Sequence, residues 1–173
     1  FNVKDEIVKA SNGSFYIAQM LAHQACLLSN ITDEKAEKTT TKVSFEHVRG
    51  QVFDTLSRRF MEVTKRVAQG TRFRKEGRAP YLHLLHWLAV SDEWTLDISK
   101  VLNEHPDMKG SVGQIVDKGH LNSLISDKAD VAAVLHFDEA ACQLTIEDPQ
   151  YVYFLRNISW KRFAQEVGFV TIE

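Results

Sequence analysis

The longest amphipathic stretch of the sequence runs from Ser44 to Gln69, and it constrains the fold more than any other feature. Apolar residues recur there every three or four positions, at Phe45, Val48, Val52, Leu56, Phe60, Val63 and Val67. This spacing puts them on one face of a helix. Ser44 can cap its first turn, and Gly70 provides a stop. A helix of this length must bury its stripe against other elements, so we predict a mostly helical fold.

Two further helices are predicted before this one. Residues 3–10 form a short amphipathic segment that a Ser-Asn-Gly turn ends. The segment 15–29, FYIAQMLAHQACLLS, is apolar nearly all round and is expected to be largely buried, with Ser14 as its cap. The polar segment 32–42 then predicts a solvated loop or linker.

The second half of the sequence begins with helical and extended segments in turn. Pro80 opens a helical run, YLHLLHWLAV, and a short extended piece follows at 94–96. Asp97 can cap the next helix, ISKVLNEH, because its carboxylate can accept from free amides of the first turn. Pro106 is expected to end that helix.

The remainder predicts more helix and one hairpin. From Ser111 the sequence VGQIVDKGHLNSLI indicates either one helix or two short helices broken at Gly119. Two strand-like runs follow, AAVLHFD and ACQLTIED, joined through residues 138–141 without a strong turn signal. Asp148 and Pro149 form a cap and first helical position for a final helix, QYVYFLRNISWKRFAQEVG.

This order of helix, strand, helix, helix and hairpin is typical of a winged helix, in which the hairpin is the wing. The pattern covers residues 79–148. The connector at 71–78 is polar and basic, and it separates the two halves. We therefore predict two domains: a helical domain at 1–78 that contains the long basic helix, and a winged-helix domain with a C-terminal helix at 79–173.

Charge is distributed unevenly along the chain. Residues 1–41 hold four basic and five acidic side chains, residues 42–78 hold ten and four, and residues 79–173 hold seven and fourteen. The middle segment is therefore basic and the winged-helix candidate is acidic. A DNA-binding domain needs Lys and Arg to neutralise phosphates, and the candidate wing tip instead carries Asp138 and Glu139. Protein contact is at least as well supported for this domain as DNA binding.

Two groups of residues are nevertheless candidates for binding nucleic acid. The candidate recognition helix offers Lys109, Gln114, Lys118 and His120. The basic segment offers Arg58, Arg59, Lys65, Arg66, Arg72, Arg74, Lys75 and Arg78. For the basic segment three interpretations stay open: a solvated face with local pairs, such as Glu62 with the arginines four residues away; a surface on which the acidic half docks; or a binding surface for nucleic acid.

Patterns that carry catalytic chemistry are weak in this sequence. The glycines at 110 and 113 lack the Lys-Ser/Thr of a phosphate-binding loop and are better explained by a bend between helices. His83 and His86 could share a metal, or they could pack among aromatic side chains. No catalytic, cofactor-binding or metal-binding residue is assigned.

The compartment is predicted from three negative features. Cys26 and Cys142 lie in apolar runs, which favours buried, reduced thiols. No run approaches the ~18 apolar residues of a membrane span, and residues 1–10 lack the pattern of a signal peptide. We predict a cytoplasmic location with no membrane partner. Because the chain begins at Phe1 and not at Met, we expect that a further segment precedes it.

Two stretches resemble a known family. The segment SNGSFYIAQMLAHQAC looks like the helical lid of AAA+ ATPases, especially of the initiator-like and signal-transducing (STAND) branch. The segment from APYLHLLHWLAV to EDPQYVYFLRNISW is similar to the winged-helix domain that follows such a lid. The resemblance implies a helical lid-like domain followed by a winged helix, with ATP and Mg²⁺ bound by a domain upstream of Phe1. Walker motifs are missing, and no ATP-binding residue is carried over.

The first hypothesis is therefore a non-catalytic regulatory fragment of a multidomain ATPase. Its partner would be the upstream ATPase domain of the same chain, and its winged helix would mediate protein contacts, self-association or DNA binding. The alternative is a stand-alone winged-helix transcriptional regulator that dimerises through the helix at 44–69.

Overall fold

The computed structural model describes residues 3–34, 40–71 and 78–169. These residues form ten α-helices and one three-stranded antiparallel sheet. The chain divides into two compact units, residues 1–59 and residues 60–173. The division lies inside the long helix, whereas the sequence placed the domain boundary at the connector 71–78.

The first unit begins with two helices that pack against each other, α1 (Val3–Ser11) and α2 (Phe15–Leu28). Both were predicted to within a residue or so of their observed ends. Ser14 caps α2 as expected, since its hydroxyl accepts a hydrogen bond from the amide of Ile17 at 3.3 Å. The chain reverses between the helices because Asn12 and Gly13 both have positive φ, a conformation these two residues adopt readily.

The long helix α3 (Phe45–Gln69) confirms the amphipathic prediction. The amide of His47 donates to the Ser44 hydroxyl at 3.4 Å, and Gly70, with a φ of +67°, ends the helix. One member of the predicted stripe differs, because Phe45 is only half-buried in the first turn. The others are buried: Val48, Val52, Leu56, Phe60, Val63 and Val67.

The second unit contains the second half of α3 and all later elements. Seven helices and three strands follow one another along the described part of this unit. They are α4 (Pro80–Val90), β1 (Thr95–Asp97), α5 (Ile98–Glu104), α6 (Lys109–Asp117), α7 (His120–Ser126), α8 (Ala129–Ala132), β2 (Leu135–Asp138), β3 (Gln143–Ile146), α9 (Pro149–Asn157) and α10 (Trp160–Glu166).

The structure resolves the choice left open after Ser111. It also corrects two predictions, the continuous final helix and the start of the first hairpin strand. The segment after Ser111 forms two helices, because Gly119 has a φ of +66° and separates α6 from α7. The final helix, predicted as continuous, is broken between α9 and α10: Ile158 is extended and buried, and the Asn157 side chain donates to the carbonyl of Tyr153 at 2.8 Å. Helix α8 lies where the first strand was expected to begin.

The sheet has the strand order β1-β3-β2, and both pairings are antiparallel. Leu144 in the central strand is the partner of Leu96 in β1 and of Phe137 in β2. All three side chains are buried, whereas His136 and Asp138 on the alternate positions of β2 are exposed. This alternation is expected of a sheet with one face against the core.

The hairpin turn lacks the glycine that would have made it recognisable. The Asp138 carboxylate closes the turn by accepting from the amides of Ala140 and Ala141 at 2.9 and 3.1 Å. Cys142 occupies the left-handed position, with a φ of +53°. Cys142 and Cys26 are both free thiols, and both are half-buried where full burial was predicted.

Aromatic side chains join α3 to α9 in the core of the second unit. The ring of Phe60 lies 5.2 Å from that of Tyr151 and 5.8 Å from that of Phe154, measured between centroids. The hydroxyls of Thr64 and Tyr151 are hydrogen-bonded at 3.0 Å, and neither side chain is exposed to solvent. These contacts place the second half of α3 in the second unit.

One arginine of α9 ties that helix to the end of α4. The Arg156 guanidinium donates to the carbonyls of Ala89, Ser91 and Asp92 at 3.3, 2.6 and 3.4 Å. Carbonyls at the C-terminus of a helix lack partners within the helix, and a cation there also interacts favourably with the helix dipole. Arg156 is therefore committed to the fold.

Replacing this guanidinium should destabilise the protein. We expect Arg156→Met to lower the free energy of unfolding by about 1–3 kcal/mol, because it leaves the α4 carbonyls without their charged donor. The control is Arg162→Met, which removes only an exposed pair with Glu166 and should cost less than about 1 kcal/mol. Urea denaturation measures both, and an equal loss in the two variants would contradict this role of Arg156.

Candidate functional site

The basic residues predicted on and after α3 fall into four groups. Arg58 and Arg59 are exposed at the end of the first unit. Lys65 and Arg66 belong to the second unit. Arg72, Arg74 and Lys75 lie outside the described residues. Arg78 is described, and it is exposed just before α4.

Two of these cations pair with carboxylates of the second unit. The Lys65 ammonium lies 3.8 Å from the Glu62 carboxylate, and the Arg66 guanidinium is hydrogen-bonded to Asp130 at the start of α8. Glu62 was expected to pair with the arginines four residues away, but its observed partner is Lys65. Such exposed pairs contribute less than about 1 kcal/mol each, but they reduce the positive charge that α3 presents.

The predicted residues of the recognition helix do not share one face. Gln114 lies on α6, and Lys118 directly follows the last residue of that helix, Asp117. A helix turns about 100° per residue, so Lys109, five residues before Gln114, lies about 140° around the helix from it. His120 is beyond the break at Gly119 and begins α7. Lys109 is thus separated from the other candidates.

A pocket in the second unit brings together four of the predicted candidate residues. Its volume is about 360 Å³, and its lining includes Arg78, Gln114, Lys118 and His120. The remaining polar lining comes from Gln69, Thr71 and Ser111, and the apolar lining from Ala68, Ala79, Pro80, Tyr81, Ile115 and Phe169. Among the described lining residues there is no Asp or Glu. We call this the basic pocket.

The backbone around the basic pocket is tightly constrained. Gly70 lets the Tyr81 ring pack directly on the end of α3, where any Cβ would overlap that ring. The Tyr81 hydroxyl lies 3.4 Å from the Thr71 hydroxyl, which further links α4 to this end of α3. Ala79 has a φ of +47° immediately before Pro80, a strained conformation for a residue with a side chain.

Arg78 is oriented by a hydrogen bond from its guanidinium to the backbone. One of its terminal nitrogens donates to the backbone carbonyl of Asp107. A guanidinium has five N–H donors in a planar fork, so this single hydrogen bond orients the group without using all of its donors. Sequence reasoning found Arg78 but missed Tyr81, Thr71 and Phe169, which carried no charge or motif to mark them.

A second pocket, of about 480 Å³, has the opposite electrostatic character. Four carboxylates line it, those of Asp92, Glu93, Asp97 and Glu104. One of the four has a structural role, since the Asp97 side chain caps α5 by accepting from the amide of Lys100 at 2.9 Å. The acidic charge counted in the second half of the sequence is thus partly concentrated beside β1 and α5.

His83 and His86 pack among aromatic rings. Their ring centroids lie 5.6 Å from Trp87 and 5.1 Å from Trp160 respectively, and His105 stacks on Trp87 at 4.7 Å. This is the packing role that was the alternative to metal binding. Over the part of the chain that the structure describes, no group of three or more His, Cys, Asp or Glu side chains could hold a metal ion.

Burial lowers the pKa of both histidines. For His83 desolvation has the largest effect, His86 and His105 lower the pKa further, and Asp107 opposes them. For His86 the causes are desolvation and then His105. Both imidazoles are therefore held in the neutral form more strongly than in an unfolded chain.

This shift predicts acid sensitivity. Because the folded state disfavours the protonated imidazoles, the unfolded chain binds more protons as the pH falls through about 6.5, the ordinary histidine value. Stability present above that pH should therefore decrease progressively below it. Thermal melts from pH 7.5 to 5 measure the decrease, and the double variant His83→Gln/His86→Gln should show a shallower one. An unchanged slope would show that these histidines are not responsible.

The contact between Gly70 and Tyr81 gives a second test. Gly70→Ala should lower the free energy of unfolding by at least about 2 kcal/mol, because it combines a positive φ with overlap of the Tyr81 ring. Gly110→Ala is the matched control: Gly110 is helical and open space surrounds its Cβ position, so the change should stabilise by up to about 1 kcal/mol. Similar effects of the two changes in denaturation experiments would contradict this packing.

Comparison with membrane helices and with known proteins gives little further information about the chain. Within the described ranges, no helix combines the length and the apolar character that crossing a bilayer requires. No family model, no curated protein and no solved structure matches the chain.

Proposed function

We propose that residues 60–173 act as a winged-helix-like regulatory module of a multidomain ATPase and work through protein contacts. The nucleotide state of an upstream ATPase domain would move the lid-like helical domain predicted at 1–78, in which residues 11–26 resemble the lid of AAA+ ATPases. That movement would reposition the acidic module. The module itself carries out no chemistry in this proposal, and ATP and Mg²⁺ would be bound upstream.

The order and pairing of the elements support the winged-helix part of the proposal. Helix α4, strand β1 and helices α5 and α6 precede the hairpin of β2 and β3, and β1 completes the sheet beside β3. A short helix, a bend and a second helix beside a hairpin are the parts of this motif. Two additional helices, α7 and α8, lie between α6 and the hairpin in the chain. Both α6 and α7 are therefore candidates for the recognition helix.

Protein contacts are preferred over DNA binding because several basic side chains of the second unit pair within the fold. Lys65 and Arg66 pair with carboxylates, and Arg156 is committed to helix carbonyls. The wing tip offers Asp138 and Glu139, both exposed. DNA affinity depends chiefly on neutralising several phosphates at once. A surface with these features is better suited to a partner protein than to duplex DNA.

A free-standing DNA-binding regulator is the second candidate. It is favoured by the exposed Lys109, Gln114 and Lys118 on α6 and by the exposed Arg58 and Arg59 on α3. In this interpretation α3 would be the dimer helix, and α6 would enter the major groove.

Binding to labelled duplex DNA over a salt series, with the mass measured by light scattering on the same sample, separates the two functions. We expect a monomer that binds duplex weakly and with a shallow dependence on salt. A regulator that contacts about six phosphates would instead show a slope of about −5 in log K against log salt. Tight, steeply salt-dependent binding by a dimer would overturn the proposal.

The natural gene provides the companion test. The proposal requires an ATP-binding loop of the Walker type to be encoded upstream of Phe1. A gene whose product starts at or just before Phe1 would refute the ATPase part of the proposal, whatever the DNA-binding result.

A further inference from the structure

We infer that the basic pocket of the second unit is a binding site for an organic phosphate: a phosphoryl group on a small, partly apolar body, of which a nucleoside monophosphate is an example. The inference rests on the pocket alone. It would stand if the module proved not to belong to an ATPase.

The charge of the lining selects for an anion. Arg78 comes from the segment before α4, Lys118 from the end of α6, and His120 from the start of α7. Three positively charged or protonatable side chains from separate positions thus meet around one pocket, and its described lining has no carboxylate. Charge-assisted hydrogen bonds from Lys and Arg to phosphate oxygens are among the strongest in proteins.

The apolar lining points to a ligand larger than inorganic phosphate. Tyr81, Ile115 and Phe169 contribute to the pocket beside its polar groups. Small-molecule sites commonly combine mostly apolar walls with a few convergent polar groups, and their volumes are of the order of 300–1,000 Å³. A pocket of about 360 Å³ is at the small end of that range. Gln114 and Ser111 add groups that can both donate and accept hydrogen bonds.

The walls are preorganised for this task. The Tyr81 ring is fixed against Gly70, and the Arg78 guanidinium is held by the Asp107 carbonyl. Ala79, between Arg78 and the first turn of α4, keeps a left-handed backbone at the pocket wall. A strained residue of this kind persists only where its surroundings hold it, and such residues are concentrated at ligand sites. Fixing the binding groups in advance reduces the entropy lost on binding.

The second pocket, which four carboxylates line, supplies a matched control in the same unit. Lys100 lines that pocket, and both Lys100 and Lys118 are exposed. Both can be changed to glutamine, which removes the charge and keeps most of the side-chain length. A loss of binding confined to Lys118→Gln therefore cannot come from the lower net charge of the protein.

The test is isothermal titration calorimetry of the 173-residue chain with AMP, adenosine, inorganic phosphate and a short single-stranded oligonucleotide. We expect AMP to bind with one site per chain, and more tightly than adenosine or inorganic phosphate. Lys118→Gln and Arg78→Gln should each weaken binding by roughly tenfold or more, since each loses a charge-assisted hydrogen bond. Lys100→Gln should leave it unchanged. Circular dichroism melts confirm that the variants are folded.

Several other results of the titrations would overturn the inference of an organic-phosphate site. If only the oligonucleotide binds, the pocket is not a site for a small organic phosphate, and the inference is overturned in favour of a nucleic-acid backbone. If AMP, inorganic phosphate and the oligonucleotide all fail to bind at millimolar concentration, the inference is wrong. It is equally wrong if adenosine binds as well as AMP, or if Lys100→Gln weakens binding as much as Lys118→Gln.

Discussion

The second unit depends on the buried contact between α3 and α9. Thr64 and Tyr151 have no solvent exposure, and their hydroxyls are hydrogen-bonded to each other, while the Thr64 hydroxyl also donates to the carbonyl of Phe60. Without the bond between the two side chains the buried Tyr151 hydroxyl would lose this partner, which is costly. Burial also raises the pKa of Tyr151 well above its usual range, so the phenol stays neutral. The contact fixes the end of α3 in the second unit, and the wall formed by Gly70 and Thr71 follows from it.

The sequence predicted those parts of the fold that local chemistry determines. Ser14, Asp97 and Asp148 were identified as helix caps, and each accepts the expected backbone hydrogen bond. The stripe of α3 was recognised because its period is that of a helix. Local signals did not reveal the break at Ile158, where burial of the side chain and not a Pro or Gly interrupts the helix. Nor did they mark Cys142, which occupies a left-handed position usually taken by Gly or Asn.

The candidate site was predictable in composition but not in arrangement. The charge pattern identified Arg78 and Lys118, yet nothing in the sequence showed that both line one pocket while Lys109 is not part of its lining. The partner of Arg66 is Asp130, far along the chain, and a pairing of that kind depends on the tertiary fold. The close packing of the Tyr81 ring on Gly70 is likewise a tertiary contact that no pattern of charges encodes.

The positions of the cations determine whether the second unit is better suited to a small anion or to a polyanion. Duplex DNA presents one charge per about 1.7 Å of its axis, so gripping it requires cations in a row along one surface. In the second unit Arg66 and Arg156 are engaged with other parts of the fold, and Lys109 begins α6 whereas Lys118 follows its end. Arg78 and Lys118 converge on one pocket and do not form a row of cations along the surface. This arrangement favours a single phosphoryl group held at one point over a polyanion that spans several cations.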